Sequence, residues 1–258
     1  MLMDRRESRR LIKALLSEIF NSIKDYNGGL VYSFKGGFIL SNYLSPDGAR
    51  ETKDIDLSIG NVSDFYIIAD IVSGILDKWK TRGVIYSYKI KKPVEGVSSG
   101  GIDIYRKIDP NLKAFIWTGL DISVHDMNFG IIKIRDFNCY SIERMLIDKV
   151  SVMYANEITL LRRSRDMYDI YLLNLLNYSL NGKIIDASIK DRNLNINKES
   201  TFEKLLMTDE GKEKLINGIN ITLRDRASKD WISKGNITSS DILRSVEYVL
   251  WLLRKGDM

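Results

Sequence analysis

The chain has 258 residues, of which 44% are apolar and 28% charged, with a formal net charge of +5 and a pI near 9.0. That length buries a sizeable core without a disulfide or metal staple, and the composition excludes a disordered chain. A single cysteine, Cys139, excludes a disulfide framework and multi-cysteine metal sites, and a single histidine, His125, leaves acid–base chemistry mainly to Asp, Glu and Lys. The mildly basic balance is compatible with a polyanionic partner. No stretch reaches the roughly 18 continuous apolar residues of a membrane span. The charged segment 1–10 leads into an amphipathic stretch rather than a signal-peptide core, so the sequence reads as a soluble, reduced, cytoplasmic protein.

Residues 4–25 set Leu11, Ile12, Leu15, Leu16, Ile19 and Ile23 at three- and four-residue spacing, one face of a helix. Asn27-Gly28-Gly29 breaks it. A short strand is predicted over 30–34, ended by Lys35-Gly36-Gly37. A short helix follows over 38–44, then a loop over 45–52, a strand over 54–59 and a helix over 63–80. From 84 to about 137 the pattern turns to period two, over 85–90, 102–108, 114–124 and 131–134, with Gly100-Gly101, Asp109-Pro110 and Asn128-Phe129-Gly130 as punctuation. Those connections are too short for helical crossovers, which predicts antiparallel pairing at the sheet edge. After Ser141 the pattern is helical: 141–154, 157–180, 183–190, 198–206, 208–218 and 239–254, the last running into Arg254, Lys255 and Gly256 as helix stops do. The expected fold class is α+β, a mixed-sheet α/β lobe over 1–140 followed by an all-helical lobe over 141–258.

Three constellations carry chemistry. In the first, Lys35-Gly36-Gly37 follows a strand and is separated by sixteen residues from Asp54-Ile55-Asp56 on the next strand. Paired glycines let backbone N–H groups approach a phosphate closely. Carboxylates two apart share one strand face. Their mutual repulsion needs a positive partner, and hard oxygens beside substrate phosphates suit Mg²⁺. The second is Asp121, in Leu120-Asp121-Ile122-Ser123-Val124, a candidate third carboxylate, with Asp103 in Ile102-Asp103-Ile104 as its rival. The third is helical: Lys149 among Met145, Leu146, Val150 and Met153, and Arg162, Arg165, Asp166 and Asp169 on one later helical face. Each has a bland counterpart when taken alone: a Gly-Gly turn, solvated strand aspartates, and a salt-bridged surface helix. Basic clusters at 5–13, 89–92 and 162–165, with Tyr86, Tyr88 and Tyr105 nearby, are compatible with RNA phosphate if they adjoin in space. Gly96-Val97-Ser98-Ser99-Gly100 matches a serine-hydrolase elbow, but a strand pattern follows it where that motif needs a helix.

Taken together, Phe34-Lys35-Gly36-Gly37, Arg50-Glu51-Thr52-Lys53-Asp54-Ile55-Asp56-Leu57, Asp121, Lys149 and Arg165-Asp166-Met167-Tyr168-Asp169 resemble the nucleotidyltransferase-like AbiEii/AbiGii toxin family, over about residues 30–175. The resemblance implies a minimal nucleotidyltransferase fold of the DNA-polymerase-β type joined to a helical lobe. It implies metal binding by Asp54, Asp56 and Asp121 at a two-metal Mg²⁺ site, with Lys149 and Asp166 also catalytic. Nucleotide binding is implied for Lys35, Gly36, Gly37, Arg50 and Lys149. The implied reaction moves a nucleoside monophosphate from an NTP to an acceptor hydroxyl, on RNA such as a tRNA 3′ end, in a toxin with a cognate antitoxin partner. The alternatives are an antibiotic-type small-molecule nucleotidyltransferase and a non-catalytic nucleotide- or RNA-binding protein. This sequence departs from many nucleotidyltransferases in having Gly37 where they carry a serine, which removes one hydroxyl contact to phosphate.

Overall fold

The computed structural model describes residues 5–26, 28–43, 54–93, 99–107, 109–134, 137–176, 179–226 and 237–256. Internal contacts divide the chain into two compact units, Met1–Ile39 with Thr52–Cys139, and Leu40–Glu51 with Tyr140–Met258.

The first unit is built on a seven-stranded sheet ordered β3-β4-β5-β2-β1-β7-β6. Its strands are β1 (Tyr32–Lys35), β2 (Asp54–Ile59), β3 (Ser87–Lys91), β4 (Ser99–Arg106), β5 (Phe115–Val124), β6 (Ile131–Ile134) and β7 (Phe137–Tyr140). β3–β4–β5 pair antiparallel, as the short connections require, while β2 runs parallel to β5 and β1 parallel to β7. Helix α1 (Arg5–Lys24) buries Leu15, Leu16, Ile19 and Ile23 along the predicted stripe. Its Phe20 packs on Phe34 and Phe137 with ring centroids 4.2 and 3.7 Å away. Helix α3 (Val62–Thr81), capped by Asn61, buries Phe65, Ile68, Val72 and Leu76. Trp79 Nε1 donates to Glu18 at 2.8 Å and Trp117 Nε1 to Ser8 at 2.9 Å, tying α3 and β5 to α1. Alternation then sorts β2: Ile55, Leu57 and Ile59 are fully buried, while Asp54 and Asp56 keep access to solvent on the other face. Strand β7 is not among the predicted strands.

The second unit contains α4 (Ile142–Met153), α5 (Glu157–Arg162), α6 (Arg165–Leu175), α7 (Gly182–Asp191), α8 (Thr201–Leu206), α9 (Asp209–Arg226) and α10 (Ser239–Lys255). Helix α2 (Gly36–Tyr43) straddles the division, with Leu40 in the core of the second unit. That core is lined by Ile147, Val150, Met167, Ile170, Leu215, Val246 and Leu250. α10 opens with a Thr238–Asp241 capping box and stops at Gly256 in the left-handed region, φ 71°. The single helix predicted over 157–180 is two helices broken at Arg163–Ser164. Ser164 Oγ donates to Gly218 O on α9 at 3.0 Å, and a Cβ on Gly218 would come within 2.9 Å of the Ser164 Cβ. Close packing against α9 overrides the continuous helical periodicity and restarts the chain with Asp166 in the first turn of α6.

Candidate active site

Strand β1 ends at Lys35, and the next residue, Gly36, takes φ +69° to open α2 directly. A side chain there is strained for two reasons. The left-handed backbone disfavours a Cβ, and an added Cβ would lie 1.8 Å from Asp56 Oδ2 and 2.5 Å from its Cγ. The turn is therefore moulded around the Asp56 carboxylate, and the first N–H groups of α2 open beside it, a favourable setting for anions. The Lys-Gly-Gly motif and the Asp-x-Asp motif, distant in sequence, form one local structure.

The strand register assembles the rest. Lys35 on β1 stands opposite Asp56 on β2, and Asp56 stands opposite Asp121 on β5. Neighbouring strands lie about 4.8 Å apart, so the Asp56 and Asp121 backbones are adjacent with side chains on one face. Asp54 shares that face one step earlier and pairs in register with Gly119. Deeper along it lie Ser58 and Ser123, also paired. Lys35 Nζ donates to Ser123 Oγ at 2.7 Å, so the Lys35 side chain crosses β2 to reach β5 and places an ammonium on the acidic face. Asp103 also points to this face but sits on β4, a strand farther from β2, where Lys91 holds it at 2.6 Å and the Tyr105 hydroxyl donates to it at 3.3 Å. The Lys91 pKa is raised, first by its hydrogen bond to Asp103, with a smaller contribution from the field of Asp121.

Among the described residues, no three Asp, Glu, His or Cys side chains converge tightly enough to form a ready cation site. The donor set nevertheless fits a hard divalent ion. Asp54, Asp56 and Asp121 offer only carboxylate oxygens, on one face of adjacent strands, beside a glycine turn that leaves no room for a side chain. Arg50 lies outside the described residues.

Lys149 and Asp166 meet inside the second unit. Lys149 Nζ lies 2.8 Å from Asp166 Oδ1 and 3.0 Å from Asp169 Oδ2, and Arg163 Nε lies 2.7 Å from Asp166 Oδ2. Both carboxylates are completely buried, which excludes the solvated surface helix. The i, i+3 spacing of Asp166 and Asp169 brings both to one lysine. Sequence reasoning placed Asp169 on the right helical face but gave it no role, and it noted Ser123 only as a neighbour of Asp121. A Lys–Ser bond across two strands leaves no sequence signal.

The remaining candidates are quiet. Cys139 is buried, and burial pushes its thiol up to about 11. His125 follows the end of β5, where its amide donates to Ile59 O at 3.0 Å. The segment after the elbow-like motif is strand β4, while 96–98 lie outside the described residues. No helix among the described residues is long and apolar enough to cross a membrane.

The fold is similar to that of a candidate nucleotidyltransferase from H. pylori, with a TM-score of 0.58 and 15% identity over 99% of this chain and 97% of that one. It is likewise similar to JHP933 from Helicobacter pylori, with a TM-score of 0.57 and 16% identity over 97% of this chain and 94% of that one. Identities this low establish the fold alone. The sequence matches none of the curated proteins. It does match a family profile over residues 18–231, most of the chain, and the chain thereby belongs to the nucleotidyl transferase AbiEii toxins of type IV toxin–antitoxin systems.

Proposed function

We propose that this nucleotidyltransferase toxin moves a nucleoside monophosphate from an NTP to a hydroxyl of RNA, with a tRNA 3′ end as the leading acceptor, in a Mg²⁺-dependent reaction centred on the β1–β2–β5 face. The observation that carries the reading is the register that sets Asp56 beside Asp121, with Asp54 on the same face and the Gly36 turn closed against Asp56. Asp54, Asp56 and Asp121 would hold Mg²⁺, which supplies charge neutralisation for the triphosphate and orientation of the attacking oxygen.

The chain's own groups do the rest. N–H groups of the Gly36–Gly37 turn donate to phosphate oxygens, and Lys35 adds positive charge where negative charge develops on the leaving group. The exposed Asp121 carboxylate accepts the proton of the acceptor hydroxyl. An oxygen–phosphorus bond forms at the α-phosphorus, the α–β anhydride breaks, and pyrophosphate leaves with the bonding pair. The family resemblance also implies a nucleotide-binding role for Arg50. For Lys149 the family resemblance implies a phosphate role, and within the second unit Asp166 and Asp169 balance and orient its ammonium. The family's type IV designation supports a cognate antitoxin as a partner.

The test is incubation of the purified protein with Mg²⁺, each labelled NTP in turn and total bacterial tRNA, beside an Asp54→Ala/Asp56→Ala control. Label on RNA only with intact aspartates is the expected result and names the nucleotide. Absence of both transfer and NTP binding would end the reading.

A further inference from the structure

The face that carries the three aspartates continues toward the sheet edge, and the register says what stands there. Lys91 on edge strand β3 pairs with Gly101 on β4, and Gly101 pairs with Asp121. One step along, Lys89 pairs with Asp103, Asp103 with Gly119, and Gly119 with Asp54. Residues paired directly across strands share a face, so both lysines project on the side of the carboxylates. Lys89 is exposed, and the Lys91 side chain is 53% exposed although it pairs with Asp103. Lys92, of opposite parity, turns to the other face and lies over the Tyr66 ring at 5.5 Å. The lysine run in the sequence is thus sorted by strand geometry, with two of its three cations on the active face.

Between these lysines and Asp121 stands Gly101, which is buried and adds no side chain of its own. A Cβ there would lie 2.7 Å from Leu120 O. Tyr105, next along β4 on the same face, directs its hydroxyl to Asp103 and leaves its ring half-buried beside the path. Two strand spacings, about 10 Å, separate the β3 backbone from that of β5, a distance on the scale of one nucleotide.

We propose that this strip, from Asp121 across β4 to Lys89 and Lys91, is the track on which the acceptor RNA lies: its terminal hydroxyl reaches Asp121, its upstream phosphates meet the two lysines, and a base stacks on Tyr105. The proposal rests on the RNA-directed reading above and places the acceptor on a defined edge of the sheet. The two exposed lysines at the sheet edge, with Lys91 shared with Asp103, offer cations to the phosphates of a polyanion and repel the cationic acceptors of antibiotic-modifying transferases. Aromatic stacking with backbone cations is the pattern of single-strand binding.

The experiment compares wild type, Lys89→Gln/Lys91→Gln, Tyr105→Leu and the control Lys133→Gln, which removes an exposed charge on β6 at the opposite sheet edge. Binding of labelled tRNA is measured across a salt series, with NTP binding and label transfer measured in parallel. The double variant should flatten the slope of log affinity against log salt by about 1.4, or about 0.7 for each lost phosphate contact. It should also raise KM for RNA while kcat and NTP affinity stay near wild type. Tyr105→Leu should weaken RNA binding without changing the salt slope, and Lys133→Gln should change neither. An unchanged slope and KM in the double variant, with transfer intact, would overturn the track and leave the transfer reading standing. A wild type that binds NTP but no RNA would also overturn it, and a protein that neither binds NTP nor transfers label would remove the reading beneath it.

Discussion

Replacing Gly36 by alanine should damage stability and activity through one identifiable carboxylate. The φ of +69° costs a non-glycine residue about 1–2 kcal/mol. The new methyl would also overlap Asp56 Oδ2 at 1.8 Å and Cγ at 2.5 Å, so the carboxylate must swing away, an overpacking cost of about 1–3 kcal/mol. A total near 3 kcal/mol lowers the melting midpoint by about 9–15 °C for a unit of this size, between the small-domain and large-domain ranges. The two contributions separate in a double-mutant cycle. With Asp56→Ala in place, the overlap with Oδ2 and Cγ is gone, and Gly36→Ala should cost the backbone part plus the remaining contact with the residue-56 Cβ at 2.9 Å, so the two sites couple by about 1–2 kcal/mol. Nucleotidyl transfer by Gly36→Ala alone should fall by about 100-fold or more, since an ångström-scale displacement of a reacting group costs that much. Denaturation of the four variants, with transfer rates for those that keep Asp56, decides it. Equal cost of Gly36→Ala in both backgrounds, or a retained transfer rate, would refute the claim that the turn is built around Asp56.

Other perturbations address the second unit and the thiol. Lys149→Met leaves Asp166 and Asp169 buried without their ammonium and should destabilise by about 3–5 kcal/mol in urea denaturation; an unchanged midpoint would contradict the geometry. Arg254, held by Glu203 at 2.5 and 2.6 Å through two nitrogens, depresses the Glu203 carboxyl from 4.5 to about 2. That contribution is fully present above pH 4.5 and is lost as the pH falls from 4.5 toward about 2, on the order of 1 kcal/mol for this partly solvated pair. Glu203→Gln should therefore flatten the acid limb of the stability profile, and a wild-type acid limb in that variant would exclude the pair as its source. Cys139, with its thiol raised to about 11 inside the core, should resist alkylation at pH 8 until the protein unfolds; rapid labelling of the native protein would contradict its burial.

Much of this was legible in the residues. Alternation in Asp54-Ile55-Asp56-Leu57 divides buried from accessible side chains without any knowledge of neighbours, and the spacing in α1 fixes its buried stripe. What one strand cannot reveal is which strand lies beside it. The choice between Asp121 and Asp103 depends on β2 pairing with β5 and not β4, a consequence of the crossover through α3 and the edge hairpin. The interruption of 157–180 at Ser164 was hidden for the same reason: its cause, the contact with Gly218, lies far along the chain. The burial of Asp166 and Asp169 likewise follows from tertiary packing, where local periodicity suggested a solvated face.

The acids of one sheet face should act as a set. Binding of Mn²⁺, a paramagnetic substitute for Mg²⁺, in the presence of a non-hydrolysable NTP analogue should be titrated for wild type and for Asp54→Asn, Asp56→Asn, Asp121→Asn and Asp103→Asn. The register predicts that each of the first three variants weakens Mn²⁺ binding by about tenfold or more, in the range of ligand-shell losses, while Asp103→Asn binds as wild type does. Loss in Asp103→Asn with Asp121→Asn unaffected would contradict the assignment of the third acid, and full Mn²⁺ affinity in all four variants would contradict the site itself.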